Sequence, residues 1–137
     1  MKTFFDASAF AKRYVEEAGS RLVDDICLSA DEVSISVICV PEIVSALNRR
    51  TREGRLSRED YITIKQHLSD DVRDVVIVNL VPEVITSSIK LLEASQLRAM
   101  DALHIACALV WGAELFVSSD RRQINAVKKA GITFQFV

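Results

Sequence analysis

The sequence predicts an α/β fold, a three-layer sandwich in which a central, mostly parallel five-stranded sheet carries helices on both faces. Three observations lead there. Short β-branched or aromatic runs recur along the chain, and the intervals between them are filled by segments with the 3.6-residue period of amphipathic helices. Strands separated by helices in this way pair in parallel and are covered on both sides. Finally, 137 residues of which half are apolar suffice for one respectable core, so residues 1–137 form a single domain without repeat, linker or low-complexity tract.

The elements follow in order. KTFFD (2–6) is a short apolar strand, ASAFAKRYVEEAG (7–19) a helix stopped by Gly19, and SRLVDDICLSAD (20–31) a second helix. EVSISVIC (32–39) alternates as a strand, and Pro41 opens a long helix through EIVSALNRRTREG, its missing N–H costing nothing in a first turn. SREDYITIKQHLSDDV (57–72) is helical, DVVIVNL (74–80) reads as a continuous buried strand, and PEVITSSIKLLEASQ (82–96) is the next helix. MDALHIACALVWG (100–112) is an unusually apolar helix, followed by the strand ELFVSS, the helix DRRQINAVKKAG and the strand ITFQFV.

Several classes of function are set aside by composition. The start of the chain lacks an apolar leader and no later run is long enough to span a membrane, which places the protein in the cytoplasm. Cys27, Cys39 and Cys107 are odd in number, widely spaced and without a CxxC pair, so they read as buried free thiols and not as a disulfide framework or zinc knuckle.

A parallel sheet binds ligands beyond the carboxyl ends of its strands. There the sequence places Asp6 after the first strand, Glu42 at the start of the helix after the second, Asp101 at the mouth of a later helix, and Asp120 after the fourth strand. Each alone has a structural explanation. Asp120 is a plausible N-cap with Gln123 completing a capping box, Glu42 suits the positive end of a helix dipole, and Asp101 could cap its helix. Asp6 is harder to explain, because a strand leaving a core gains little from a charge at its end. Together they need a counter-charge, since two carboxylates about 4 Å apart repel by roughly 4 kcal/mol at an effective dielectric of 20. Oxygen donors without thiolate or imidazole favour Mg²⁺ or Mn²⁺. His104, one turn past Asp101, reads as a packed, hydrogen-bonded core histidine and not as a ligand partnered with Cys107.

A divalent ion in a carboxylate nest suits phosphodiester hydrolysis, polarising a phosphoryl oxygen, activating water and steadying the leaving oxygen. The formal charge of −2 argues against a nucleic-acid partner only until the four acids are neutralised, which leaves a positive remainder. Candidate phosphate contacts are Arg121 and Arg122 beside Asp120, Arg49 and Arg50 in the NRRTREGRLSR run, and Lys12 and Arg13 in the first helix. The acidic pairs Glu16–Glu17, Asp24–Asp25 and Asp70–Asp71 lie away from the strand tips and read as surface. No aromatic platform for stacking bases is visible.

The blocks FFDASAFAKRY, PEIVSAL, RAMDALHIACAL and ELFVSSDRRQINAVKKAG resemble, in order and over nearly the whole chain, the acidic signatures of PIN-domain ribonucleases, especially the VapC-like toxins of toxin–antitoxin pairs. The resemblance implies a PIN-like sandwich and a metal-dependent endoribonuclease. Asp6, Glu42 and Asp101 would hold Mg²⁺, with Asp120 as a fourth acid acting directly or through water, and Ser8 and Ser118 would support the acids. It also implies a homodimer and a cognate antitoxin that covers the site. Pro41 departs from the small residue commoner in the family before the glutamate.

Other readings have distinct signatures. A PIN nuclease can serve RNA processing without an antitoxin. A haloacid-dehalogenase-like phosphoryl-transfer domain wants a second acid two residues after its nucleophile, where Ser8 stands, and a receiver wants an aspartate after its third strand, which VVIVNLVP lacks. A catalytically silent binding module would have no need of the complete acid set.

Overall fold

The computed structural model describes residues 1–137. The chain runs through β1 (Lys2–Phe5), α1 (Ala7–Phe10) with a following 3₁₀ turn, α2 (Ser20–Ser29), β2 (Glu32–Ser36), α3 (Cys39–Arg52), α4 (Arg58–Asp71) with a second 3₁₀ turn, and β3 (Val76–Val78). It continues through α5 (Pro82–Ala94), α6 (Ala99–Trp111), β4 (Leu115–Ser118), α7 (Arg121–Ala130) and β5 (Thr133–Phe136). The five strands form one sheet in the order β3-β2-β1-β4-β5, and every pairing is parallel, not merely most of them.

Alternation along β1 and β4 divides the core in two. Phe4 pairs in register with Phe116 and their rings stack with centroids 5.6 Å apart. Both project into a cluster with Val84, Ala102, Ile105, Ile124 and Val127 from α5, α6 and α7. Phe5 pairs with Val117 on one side and Ile35 on the other, facing Phe10, Val23, Ile43 and Leu47 from α1, α2 and α3. A period of two thus sends neighbouring side chains into opposite layers, as a sheet covered on both faces requires.

Several elements differ from the sequence expectation: β2 ends at Ser36 instead of Cys39, and α3 opens at Cys39, two residues before Pro41. The first helix ends by residue 13 instead of running to Gly19. Lys12 folds its ammonium onto the Ala18 carbonyl at 2.5 Å, and Ser20 Oγ accepts from the Glu17 N–H, so local side-chain bonds hold a turn where the helix would have continued. Gly19 then precedes α2 with φ of +94° instead of closing α1. The expected continuous buried strand at 74–80 shortens to Val76–Val78, with Val76 37% exposed, because β3 is an edge strand paired only with β2. Pro41 does stand in the first turn of α3, and Ser57 caps α4 by accepting from the Asp60 N–H at 3.0 Å.

The chain builds outward from β1 through β2 to β3, then returns to the other side of β1 with β4. The reversal leaves a crevice between the carboxyl ends of β1 and β4, where parallel sheets of this kind hold ligands.

Candidate active site

Asp6 follows β1 at that crevice and N-caps α1, its Oδ1 accepting from the Ala9 N–H at 2.9 Å. It is 1% exposed. Ser8 Oγ lies 2.8 Å from both of its oxygens, and Ser118 Oγ, at the end of β4, donates to Oδ2 at 2.8 Å. The two serines are held in turn by backbone: Ser8 Oγ accepts from the Ser119 N–H and Ser118 Oγ from the Asp120 N–H. Burial pushes the Asp6 carboxyl above the ordinary aspartate value, a shift opposed by the His104 charge and by the bonds from Ala9, Ser8 and Ser118.

Asp101 sits in the first turn of α6 and is 6% exposed. It caps nothing: the N-cap position is Arg98, whose Nε instead reaches Asp101 Oδ2 at 3.3 Å. The other Asp101 oxygen accepts from Gln123 Nε2 at 3.2 Å, and the same nitrogen donates to Asp6 Oδ2 at 2.8 Å. One neutral amide therefore joins two buried carboxylates contributed by residues almost a hundred positions apart.

The capping-box expectation for Gln123 is overturned here. Asp120 does cap α7, accepting from the Arg122 N–H at 2.8 Å, but its own N–H is taken by Ser118 Oγ, so Gln123 has nothing to return to and turns inward. It is 3% exposed, and its Oε1 is buried without a partner. Its presence among Ile124, Ala126 and Val127 on the buried stripe of α7 is the signal in the sequence that could have singled it out.

Glu42, in the first turn of α3, approaches His104 Nε2 at 2.7 Å. His104 is 1% exposed with Nδ1 unpartnered, so it is the core histidine expected, and it also orients Glu42. The side chains as they stand join Asp6 and Asp101 through the Gln123 amide, link Asp120 through its backbone and Ser118, and hold Glu42 by way of His104. No three acids converge on one point.

The donor set nevertheless fits a hard cation. All four acids offer carboxylate oxygen, the ionised form of Asp6 is incompletely compensated, and the orphaned Gln123 Oε1 is a further oxygen beside the pair. Asp6 and Asp101, with Glu42 and Asp120 turned from their present partners, are the residues that would hold it.

The candidate phosphate contacts separate. Lys12 is buried and spent on Ala18 and Glu17. Arg13 bridges Asp24 and Asp71, and Arg50 pairs with Glu17 at 3.9 Å. Asp24 is exposed, the surface charge expected, whereas Asp71 is partly buried and also accepts from the Tyr14 hydroxyl at 2.7 Å. Arg121 lies over the Phe136 ring at 4.0 Å. Arg49 shares a shallow concavity with Glu42 and Met100, while Arg122 lines another with Arg98. Cys39 and Cys107 are buried as expected. Cys27 is only half-buried, its thiol pushed up to about 11 chiefly by desolvation.

Comparison with known proteins places the chain in a family and a fold. The profile of the PIN domain matches residues 3–129. Ribonuclease VapC45 of Mycobacterium tuberculosis is 31% identical over 130 residues, covering 93% of this chain and 90% of that protein. The crystal structure of M. tuberculosis VapC20, described as a toxin that cleaves the sarcin-ricin loop, superposes with a TM-score of 0.69 at 16% identity over 96% of each chain. That of VapBC2 from Rickettsia felis, bound to a promoter DNA fragment, gives 0.71 at 11% identity over 100% of this chain and 99% of that one. Family membership decides against the haloacid-dehalogenase-like and receiver-like alternatives. With acids at the β1/β4 crevice, a matching profile over nearly all its length and a relative of VapC type at this identity, the chain belongs to the PIN domain family.

Proposed function

We propose that this protein is a Mg²⁺- or Mn²⁺-dependent endoribonuclease, the toxin of a toxin–antitoxin pair, acting on RNA in the cytoplasm as a homodimer and restrained by a cognate antitoxin. The observation that carries the nuclease reading is the Asp6–Gln123–Asp101 bridge at the topological switch point. Burying two carboxylates around one amide is costly, and a protein without a cation to bind there would gain by replacing them. Support for the toxin reading comes from a relative named as a VapC ribonuclease and from neighbouring structures of VapBC pairs.

Asp6, Glu42, Asp101 and Asp120 would hold the ion, and the chemistry it supplies is charge neutralisation at phosphoryl oxygens together with activation of water. The chain's own groups do the rest. Ser8 and Ser118 fix both oxygens of Asp6, Gln123 sets its distance from Asp101, and Glu42 would leave its bond to His104 to join them. Arg98, whose guanidinium is mostly in solvent, is placed to exchange Asp101 for an incoming phosphate. No helix is long and apolar enough to cross a membrane.

The test is cleavage of total RNA by the purified chain with Mn²⁺ and with EDTA, alongside Asp6→Asn and Asp101→Asn. Cleavage that needs Mn²⁺ and is abolished in both variants, while circular dichroism shows them folded, is the expected result. Undiminished cleavage by folded variants would assign the activity elsewhere. Co-purification of the product of an adjacent small reading frame, with loss of cleavage in that complex, separates a toxin from an RNA-processing nuclease.

A further inference from the structure

We propose that the groove between α7 and the α5–α6 connection is a phosphate track for a single RNA strand leading away from the acid pair, with Arg98, Arg122 and Lys129 as its cations. The inference rests on the nuclease reading and adds to it where the substrate lies.

On α7, Arg122, Asn125, Ala126 and Lys129 are spaced as i, i+3, i+4 and i+7 and so share one face. With Gln96 from the α5–α6 connection they line a concavity of about 260 Å³, in which the small, buried side chain of Ala126 leaves room. A second concavity, about 350 Å³, shares Gln96 and Arg122 and adds Arg98, so the two are continuous across Arg122. Arg98 bonds Asp101, which places one end of the track at the acid pair.

Charge sets this groove apart from three other concavities of the surface, which carry Asp71, Glu83 or Glu42 in their walls. The chain has 19 acidic against 17 basic side chains, yet no carboxylate lines either concavity. Arg122 and Lys129 make no ion pair within the chain, whereas Lys12, Arg13 and Arg50 all do. The remaining polar groups, Gln96 and Asn125, carry amides that donate to phosphate oxygen as readily as to water. No aromatic side chain lines the groove, so it would grip backbone and leave the bases unread.

Binding of a short, unstructured fluorescent RNA, followed by anisotropy in EDTA over a range of salt, tests this in an Asp6→Asn background that cannot cut. Arg122→Ala and Lys129→Ala should each weaken binding about threefold near physiological salt and lower the slope of log K against log salt by about 0.7, the value for one phosphate contact on a single strand. Lys128→Ala, on the neighbouring face of the same helix, should change neither. RNA binding by the parent that is indifferent to Arg122→Ala and Lys129→Ala overturns the track and leaves the nuclease reading standing. Failure of the Asp6→Asn protein to bind RNA also overturns the track, while the nuclease reading is decided separately by Mn²⁺-dependent cleavage. Unchanged RNA binding with weakened capture of an oligoglutamate peptide assigns the groove to an acidic protein partner and overturns the track.

Discussion

At the scale of single residues, Gln123 resolves an electrostatic conflict without adding charge. A lysine between Asp6 and Asp101 would neutralise them permanently and compete with any cation, whereas an amide offers two N–H donors and no net charge. The cost is a buried carbonyl oxygen with no partner, about 1–3 kcal/mol for such a group. Groups that hydrogen-bond to ligating carboxylates set their orientation, and their loss commonly lowers metal affinity 10- to 100-fold. Gln123→Leu should therefore weaken Mn²⁺ binding by about that factor in isothermal titration while the chain stays folded; unchanged affinity would make the bridge irrelevant to the ion. Asp6 yields a second expectation. Burial raises its folded pKa above the unfolded value, so the folded state holds its proton longer. Stability of the metal-free protein should then fall as pH rises from the ordinary aspartate range through the raised value, and level off above it. Asp6→Asn has no proton to lose. Urea unfolding in EDTA from pH 4 to neutrality should show the gap between variant and parent moving in the variant's favour as pH rises, and parallel profiles would contradict the assignment.

At the scale of elements, the site depends on where α1 stops and the chain turns. Gly19 has φ of +94°, and a Cβ there would stand 2.9 Å from the carbonyl carbon of Val137. Gly19→Ala therefore combines left-handed strain of about 1–2 kcal/mol with displacement of the C-terminus, and chemical denaturation should show a loss of at least that size. Phe116→Ala, which removes one ring of the stacked pair under α5 to α7, should cost about 3–5 kcal/mol by the same measurement. These elements also show what could be read from sequence. The short β-branched and aromatic runs located every strand, and the charge of Asp6 stood out because an apolar strand ran into it. The end of α1 was not legible, because the Lys12 and Ser20 side-chain bonds that fix the turn compete with a helical pattern of similar strength. Nor was the edge position of β3, which depends on strand order and not on composition. Gln123 was misread because its spacing from Asp120 fits a cap equally well, and only the prior claim of Ser118 on the Asp120 N–H decides between them. Arg98 went unnoticed for a related reason: its partner Asp101 lies three residues on, a neighbour only once the helix is known to start at Ala99.

At the scale of the whole molecule, one apolar surface is left without a partner. Ile85, Ile89 and Leu92 follow one face of α5 at i, i+4 and i+7 and are between 40% and 51% exposed, while the other face of the helix buries Val84, Ser88 and Leu91. Two turns of branched side chains in water forgo roughly 25 cal/mol for each Å² that a partner would cover. A helix face of this kind is self-complementary when two copies meet across a twofold axis, which is the commonest closed arrangement of identical chains. The proposed homodimer would use this stripe, keeping it on a different helix from the α7 groove and so leaving the RNA track open. Ile89→Arg places a charge at its centre, and in a symmetric pair that charge meets its own copy. Sedimentation velocity should then show a dimer for the parent and a monomer for Ile89→Arg, with the circular dichroism spectrum unchanged. A parent that sediments as a monomer would refute the homodimer, and a variant that stays dimeric would move the interface elsewhere on the surface. In either case Arg122→Ala should leave the sedimentation coefficient as it is, because the cations of the groove and the apolar stripe answer to different partners.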